Sequence, residues 1–276
     1  MEVRTATVDG ITMRWEEDGV AGADGDVPVV FLHGIPTSPR LWRHVFPLVA
    51  GRRLAWEMVG YGESIPEGAG RDVSVSCQAE YLLAWLRAVD AWPAVLVGHD
   101  LGGGVAQVAA VREFTACAGL VLVNSVSYDS WPILPVKVLR SAGPLTGRLP
   151  GSVFRRAVLS PLMALGHDDR ERARESLGAH WRPYARHGGA AAFLHQARAL
   201  HATDTLAVVP HLGEVKVPAR VLWGAADPFQ RLRYGERLAA DLGAPLVTLD
   251  GARHFVPEDH PDAVAAAVDE VTTSAG

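Results

Sequence analysis

The sequence predicts an α/β fold: a mostly parallel central sheet of about eight strands, helices on both faces, and a helical cap inserted after the sixth strand. Three observations predict it. Short apolar runs bounded by turn residues recur along the 276 residues, with helical periodicity between them. That alternation lapses over residues 126–210, which hold no convincing strand. It then resumes toward the C-terminus.

Taken in order, residues 3–8 and 11–15 flank Asp9-Gly10, a type I′ turn pair, so the chain opens with a β-hairpin. Residues 27–32 (VPVVFL) are continuous and β-branched, as a strand buried on both faces should be. Residues 53–59, 94–98, 119–124, 219–224 and 245–249 repeat the theme. Val75, Ala79, Leu82, Leu86 and Val89 fall on one stripe of an amphipathic helix. Further helices are expected over about 102–114 and 261–271. The insert has helical patterning of its own: a Pro/Trp-rich opening (SVSYDSWPILP), a charged helix (DDRERARESL) and an Ala-rich helix (AAFLHQARALH). The expected division is therefore a core of residues 1–125 and 211–276 and a cap of residues 126–210.

Composition removes several function classes. A chain 49% hydrophobic and 21% charged is globular and not disordered. Its net charge of −5 argues against nucleic acid or an anionic membrane as partner. No apolar run reaches the roughly 20 residues of a membrane helix. The opening MEVRTATVDGITMRW lacks a signal peptide's basic and apolar regions, so a cytoplasmic protein, monomer or homodimer, is expected. Two cysteines, Cys77 and Cys117, are too few for a disulfide framework or a zinc site. His44, His167, His187, His195, His201, His211 and His260 show no pairing that implies a metal, and no cofactor is called for. Of 26 basic residues only Lys137 and Lys216 are lysine, which reads as GC-rich coding.

The informative segment is AVLVGHDLGGG at residues 94–104. A buried strand ends at Gly98 and a Gly-rich turn leads into a helix, with Asp100 in the corner. Small residues two before and two after Asp100 let strand and helix backbones approach while Asp100 is pushed out at the strand's carboxyl end. A dinucleotide loop needs another glycine order, and a carboxylate there would repel phosphate. The pattern resembles the G-x-S-x-G elbow of the α/β-hydrolase fold family with Asp for Ser, as in its epoxide hydrolase and haloalkane dehalogenase branch. The resemblance extends over nearly the whole chain.

Two further motifs carry the resemblance. His33-Gly34-Ile35-Pro36 follows a strand where the family has its HG-x-P turn, and implies an oxyanion hole from the Ile35 and Leu101 N–H groups. His33 reads as a brace for that loop. The run 249–258 (LDGARHFVPE) puts His254 at the family's catalytic histidine position, and the run 221–228 (VLWGAADP) puts Asp227 at its acid position. The order Asp100, Asp227, His254 is that of the fold. His99 reads as a loop support. Glu57 opens a family loop (EMVGYGES) that usually begins with Asp, and its role stays open.

Aspartate in place of serine narrows the chemistry. A carboxylate is ionised at pH 7 and needs no base to attack. Against an ester it would give a labile anhydride, whereas at an sp³ carbon bearing an epoxide oxygen or a halide it gives a stable alkyl ester. His254, oriented by Asp227, would then activate water against that ester. Dehalogenases of this branch hold the halide with a Trp after the nucleophile and often an Asn after the His-Gly; here those positions are Leu101 and Ile35. The fluoroacetate-type arginines are absent too, and His180-Trp181, similar to part of their halide site, stands too late in the chain. Epoxide opening instead needs a proton donor, in the family usually a cap tyrosine. The expectation is an epoxide hydrolase with Tyr184 as that acid and Tyr128, Trp131 and Trp181 lining the pocket, with a haloalkane dehalogenase or a non-catalytic small-molecule binder as alternatives. The aromatic cap implies a bulky, largely apolar substrate, with water as second reactant; the GC-rich signature suggests a bacterial secondary metabolite.

Overall fold

The Asp9-Gly10 turn sets the first pairing. Both residues have positive φ, 49° and 75°, as a type I′ turn requires, and β1 (Glu2–Val8) folds back antiparallel on β2 (Ile11–Asp18). The structure is a computed structural model describing residues 2–19, 27–141 and 143–275. The remaining strands are β3 (Val29–Leu32), β4 (Arg53–Glu57), β5 (Ala94–His99), β6 (Cys117–Val123), β7 (Ala219–Gly224) and β8 (Leu246–Leu249). They form one eight-stranded sheet in the order β1-β2-β4-β3-β5-β6-β7-β8. β2 meets β4 antiparallel, and every pairing beyond it is parallel.

The principal helices, in chain order, are α1 (Val75–Ala88), α2 (Leu101–Arg112), α3 (Leu134–Ser141), α4 (Ser160–Gly166), α5 (Arg170–Arg186), α6 (Ala190–Arg198), α7 (Leu232–Leu242) and α8 (Pro261–Ala275). The period of two in the parallel strands divides their side chains between two cores. Val30 and Leu32 of β3, with Leu96 of β5, pack with Leu82 of α1, Val105 of α2 and Leu238 of α7. Val29, Phe31 and Val97 point the other way, into a cluster with Val264 and Val268 of α8. Helices therefore cover both faces, and a central strand such as β5 has no solvent-facing side.

β4 ends two residues before its apolar run does. The Met58 N–H donates to His33 Nε2 (3.2 Å) and the Val59 N–H to Gln78 Oε1 (3.1 Å), so side chains replace the ladder there. Between β6 and β7 the described residues hold helices and turns and no strand. α5 starts where Asp169 accepts the N–H groups of Glu171 (2.7 Å) and Arg172 (2.9 Å). The spatial order 4-3-5 reverses the winding at β3, so the carboxyl ends of β3 and β5 open a crevice at a topological switch point.

Candidate active site

The crevice is built by close backbone approach. A Cβ on Gly98 would lie 2.5 Å from the Gly102 carbonyl oxygen, and one on Gly102 would overlap the Leu32 carbonyl. With those atoms absent, the β5–α2 turn closes tightly enough to hold Asp100 at φ 50°, ψ −120°. A non-glycine residue there is strained, and the surrounding packing maintains it. The side chain emerges at the strand ends facing the β3 loop.

That loop receives it. The Ile35 N–H donates to Asp100 Oδ2 at 3.1 Å, and the nearby Leu101 N–H also favours the charged carboxylate. Gly34 leaves room for it, since a Cβ there would meet Oδ2 at 2.5 Å. Burial pushes the Asp100 pKa up; the charge of His254 and the two amides oppose the shift without cancelling it. His33 fixes the loop from behind. Its Nε2 accepts the Met58 N–H, so its Nδ1 carries the proton donated to the Gly34 carbonyl (3.0 Å). Burial, against that hydrogen bond, lowers its pKa to about 3, so it is neutral.

His254 and Asp227 arrive from the ends of the last two strands of the chain, β8 and β7. His254 Nδ1 lies 2.8 Å from Asp227 Oδ2, which places the proton on Nδ1 and leaves Nε2 as the basic nitrogen. Asp227 is held on every side. Oδ1 accepts the N–H groups of Phe229 (2.7 Å) and Gln230 (3.0 Å), and Oδ2 also accepts Asn124 Nδ2 (2.6 Å). Burial raises the Asp227 pKa, but the His254 charge and these donors outweigh it and hold it below the ordinary value. Burial likewise lowers His254, and Asp227 with Asp100 more than reverses that, so its pKa is raised. The His254 backbone is pinned too: its carbonyl takes His99 Nε2 (2.9 Å) and its N–H donates to Gly166 of the insert (2.9 Å).

Asp100, Leu101, Ile35 and His254 line one narrow cavity of about 40 Å³, with Trp131, Gln230 and apolar side chains of the insert completing its wall. Beyond it an apolar groove of about 490 Å³ shares Ile133, Val136, Leu162 and Phe229 with the cavity. The structure thus brings Asp100, Asp227, His254, Ile35 and Leu101 together, and Trp131 with them. The other insert residues lie elsewhere. Tyr184 is buried with its hydroxyl donating to Gln196 Oε1 (2.6 Å). Tyr128 donates to Asp241 Oδ2 (2.6 Å) beneath the Arg237 guanidinium. Trp181 sits beside Arg155. None of the three lines the cavity, and the Trp131 indole N–H is taken by Thr205 Oγ1 (2.9 Å).

Four residues carry roles that sequence reasoning missed or left open. Asn124, just past β6, bridges Asp227 and the Gly224 N–H. Glu57 closes its own loop by accepting both the N–H and the hydroxyl of Ser64 (2.9 Å each); burial, opposed by Ser64 and Arg14, pushes its pKa up to about 7. His167 and His180 of the insert meet the buried Glu258 at 3.2 and 3.1 Å, and Arg43 pairs with the same carboxylate. Their signal was faint: polar residues near strand ends or inside otherwise helical text.

The profile of the alpha/beta hydrolase family matches residues 29–267. A haloalkane dehalogenase of Mesorhizobium japonicum is 34% identical over 123 residues, 44% of this chain and only 38% of that protein's length. Epoxide hydrolase 4 of Mus musculus is 24% identical over 88% of this chain and 72% of its own. An alpha/beta hydrolase fold protein from Burkholderia ambifaria superposes with a TM-score of 0.87 at 24% identity, covering 97% of each chain, which shows a shared fold.

Proposed function

The chain belongs to the alpha/beta hydrolase family, and from that premise we propose that it hydrolyses an apolar substrate at an sp³ carbon through an alkyl ester on Asp100. One observation carries the reading: a buried carboxylate, not a hydroxyl, stands at the elbow with one oxygen already on the Ile35 amide. Oδ1 attacks the carbon while the carbon–leaving-group bond breaks and its electron pair departs with the leaving group. His254 Nε2 then takes a proton from water as it adds to the Asp100 carboxyl carbon. The Ile35 and Leu101 amides hold the resulting oxyanion. Collapse expels the product oxygen, which receives the proton from His254, and the carboxyl proton is released on ionisation.

The leaving group is read from the donors the cavity offers. An epoxide oxygen departs as a strongly basic alkoxide and calls for a proton donor. The tyrosines expected to supply it, Tyr184 and Tyr128, have hydroxyls committed to Gln196 and Asp241. A halide is a weak base and leaves with hydrogen bonding alone. Halide is therefore the first reading and epoxide the second. The latter is favoured by Ile35 and Leu101, which place no side-chain donor beside the carboxylate. Cavity size bears on the substrate: about 40 Å³ holds only a small reacting end, and the adjoining apolar groove suits an elongated tail better than a bulky polycycle.

A single turnover in ¹⁸O-water tests the covalent step, with label expected in the Asp100 carboxylate and absent from the first product. Label directly in the product overturns it. His254→Gln is expected to accumulate one alkyl group per chain by intact mass. An adduct of the alkyl group alone marks halide displacement, and an adduct of the whole substrate marks ring opening.

A further inference from the structure

Gln230 is 2% exposed and lines the same cavity as Asp100 and His254. Its backbone is fully engaged: the N–H donates to Asp227 Oδ1 and the carbonyl accepts Trp223 Nε1 at 2.8 Å. Its side chain is not. Oε1 is buried without a partner, and no hydrogen bond from Nε2 is found among the described residues. A half-turn about χ3 exchanges the two ends, so the donor end can face the cavity as readily as the acceptor end. Buried polar groups are almost always paired, so an unpaired carboxamide held by a locked backbone awaits a group that enters the cavity. The remaining polar side chains of the wall have other duties. Asp100 and His254 are the reacting groups, and the Trp131 N–H belongs to Thr205.

We propose that the Gln230 carboxamide anchors the leaving group. The proposal rests on the Asp100 reading and extends it. As Asp100 Oδ1 forms its bond to carbon, the carbon–halogen bond breaks heterolytically and the halide keeps the electron pair. The Gln230 Nε2–H donates to that developing anion. An amide donates a hydrogen bond but not a proton at neutral pH, so it serves a group that leaves as a stable anion. A terminal alkyl chloride or bromide is the substrate class that follows.

The experiment compares wild type with Gln230→Leu on 1-chloro-, 1-bromo- and 1-iodoalkanes of one chain length. Alkylation and hydrolysis of the alkyl-enzyme are followed separately by rapid quench and intact mass. The expected loss is about 100-fold in chloride alkylation, falling to about tenfold for iodide, with hydrolysis unchanged. An equal loss across the halides, or an equal loss in hydrolysis, assigns Gln230 to holding the Asp227 loop and overturns the proposal. No loss overturns it as well. Sodium bromide titrated into wild type, read by tryptophan fluorescence, needs no variant to fold. Saturable binding that Gln230→Glu abolishes, with its melting temperature kept, supports the anchor; no saturable binding to wild type argues the anchor is absent. If only epoxides label Asp100, the halide class fails while the Asp100 reading stands. If nothing labels Asp100, both fail.

Discussion

The strand ends and the helical insert use the same kinds of polar side chain in opposite ways. At the strand ends, Asp100 stands on a turn whose geometry is set by backbone contact, and Asp227 is held by two backbone amides. In the insert, Tyr184 answers Gln196 and Trp131 answers Thr205. Sheet position therefore fixes what a polar residue does, because the sheet leaves few conformations at its carboxyl edge. A helical insert leaves many, and its polar groups find one another. Mutations should accordingly stop chemistry in the first region and loosen packing in the second.

The sharpest break of that contrast is Asp100→Asn. On the proposed mechanism this removes the nucleophile, so turnover should fall by about 10⁴-fold or more, with no alkyl adduct by intact mass. A retained adduct would move the nucleophile elsewhere. Asp227→Asn should come next, slowing alkyl-enzyme hydrolysis by about 10³–10⁴-fold through loss of the histidine's orientation while sparing alkylation. Asn124→Ala removes one donor from Asp227, and a loss of about tenfold confined to hydrolysis is expected. If it slows alkylation equally, Asn124 acts on the fold and not through the acid.

Acidity separates the two chemical steps. The raised His254 pKa means that the base is lost as pH falls through a value above 6.5. Alkylation needs only ionised Asp100; burial raises its pKa, but the positive charge of His254 opposes that rise, so a protonated His254 favours the carboxylate. Wild-type enzyme mixed with substrate on the acid side should therefore accumulate alkyl-enzyme that disappears when the pH is returned to 8. Parallel loss of both steps would remove His254 from the second step alone.

The seam between the two regions gives a stability effect with no expected chemistry of its own. Burial opposes protonation of His167, but Asp259 and Glu258 outweigh it and raise its pKa to about 9 from 6.5. A pKa raised by folding stabilises fully below pH 6.5, and the contribution is lost as pH rises through about 9. Glu258→Gln should cost about 1–3 kcal/mol in denaturant unfolding near pH 6, because it takes one of two carboxylates from the buried His167 and one of two from Arg43. Its melting temperature should also fall less than that of wild type between pH 6.5 and 9. An equal fall would dismiss the His167–Glu258 coupling.

These contrasts explain how much was legible in advance. The sheet, the hairpin turn and the order Asp100, Asp227, His254 could be read because β-branched runs and glycine corners are local signals. β4 ended earlier than its apolar run because His33 and Gln78 take the next two amides, a long-range fact invisible in the segment itself. Gln230 carries no local mark beyond standing three residues after Asp227. Tyr184 and Tyr128 share the residue type the chemistry wanted, but residue type says nothing of where a helix turns a phenol.

Tyr184→Phe is the smallest expected effect and the closest test of that lesson. The hydroxyl donates to Gln196 Oε1, and Gln196 Nε2 in turn donates to the Gly60 carbonyl (2.8 Å), so the phenol ties α5 to α6 and Gln196 ties α6 to the loop after β4. Its pKa is raised by burial against the Gln196 hydrogen bond, which makes it a poorer acid than a free tyrosine. Removing the hydroxyl leaves Oε1 of Gln196 unpaired at a cost of about 1–3 kcal/mol, seen as a lower denaturation midpoint. Alkylation by a haloalkane should stay within about twofold of wild type, because the hydroxyl does not reach the cavity and a halide needs no proton. A loss beyond tenfold, confined to epoxide substrates, would mean that Tyr184 turns into the cavity when substrate binds. That result would restore it as the ring-opening acid and place the insert among the chemical parts of the molecule.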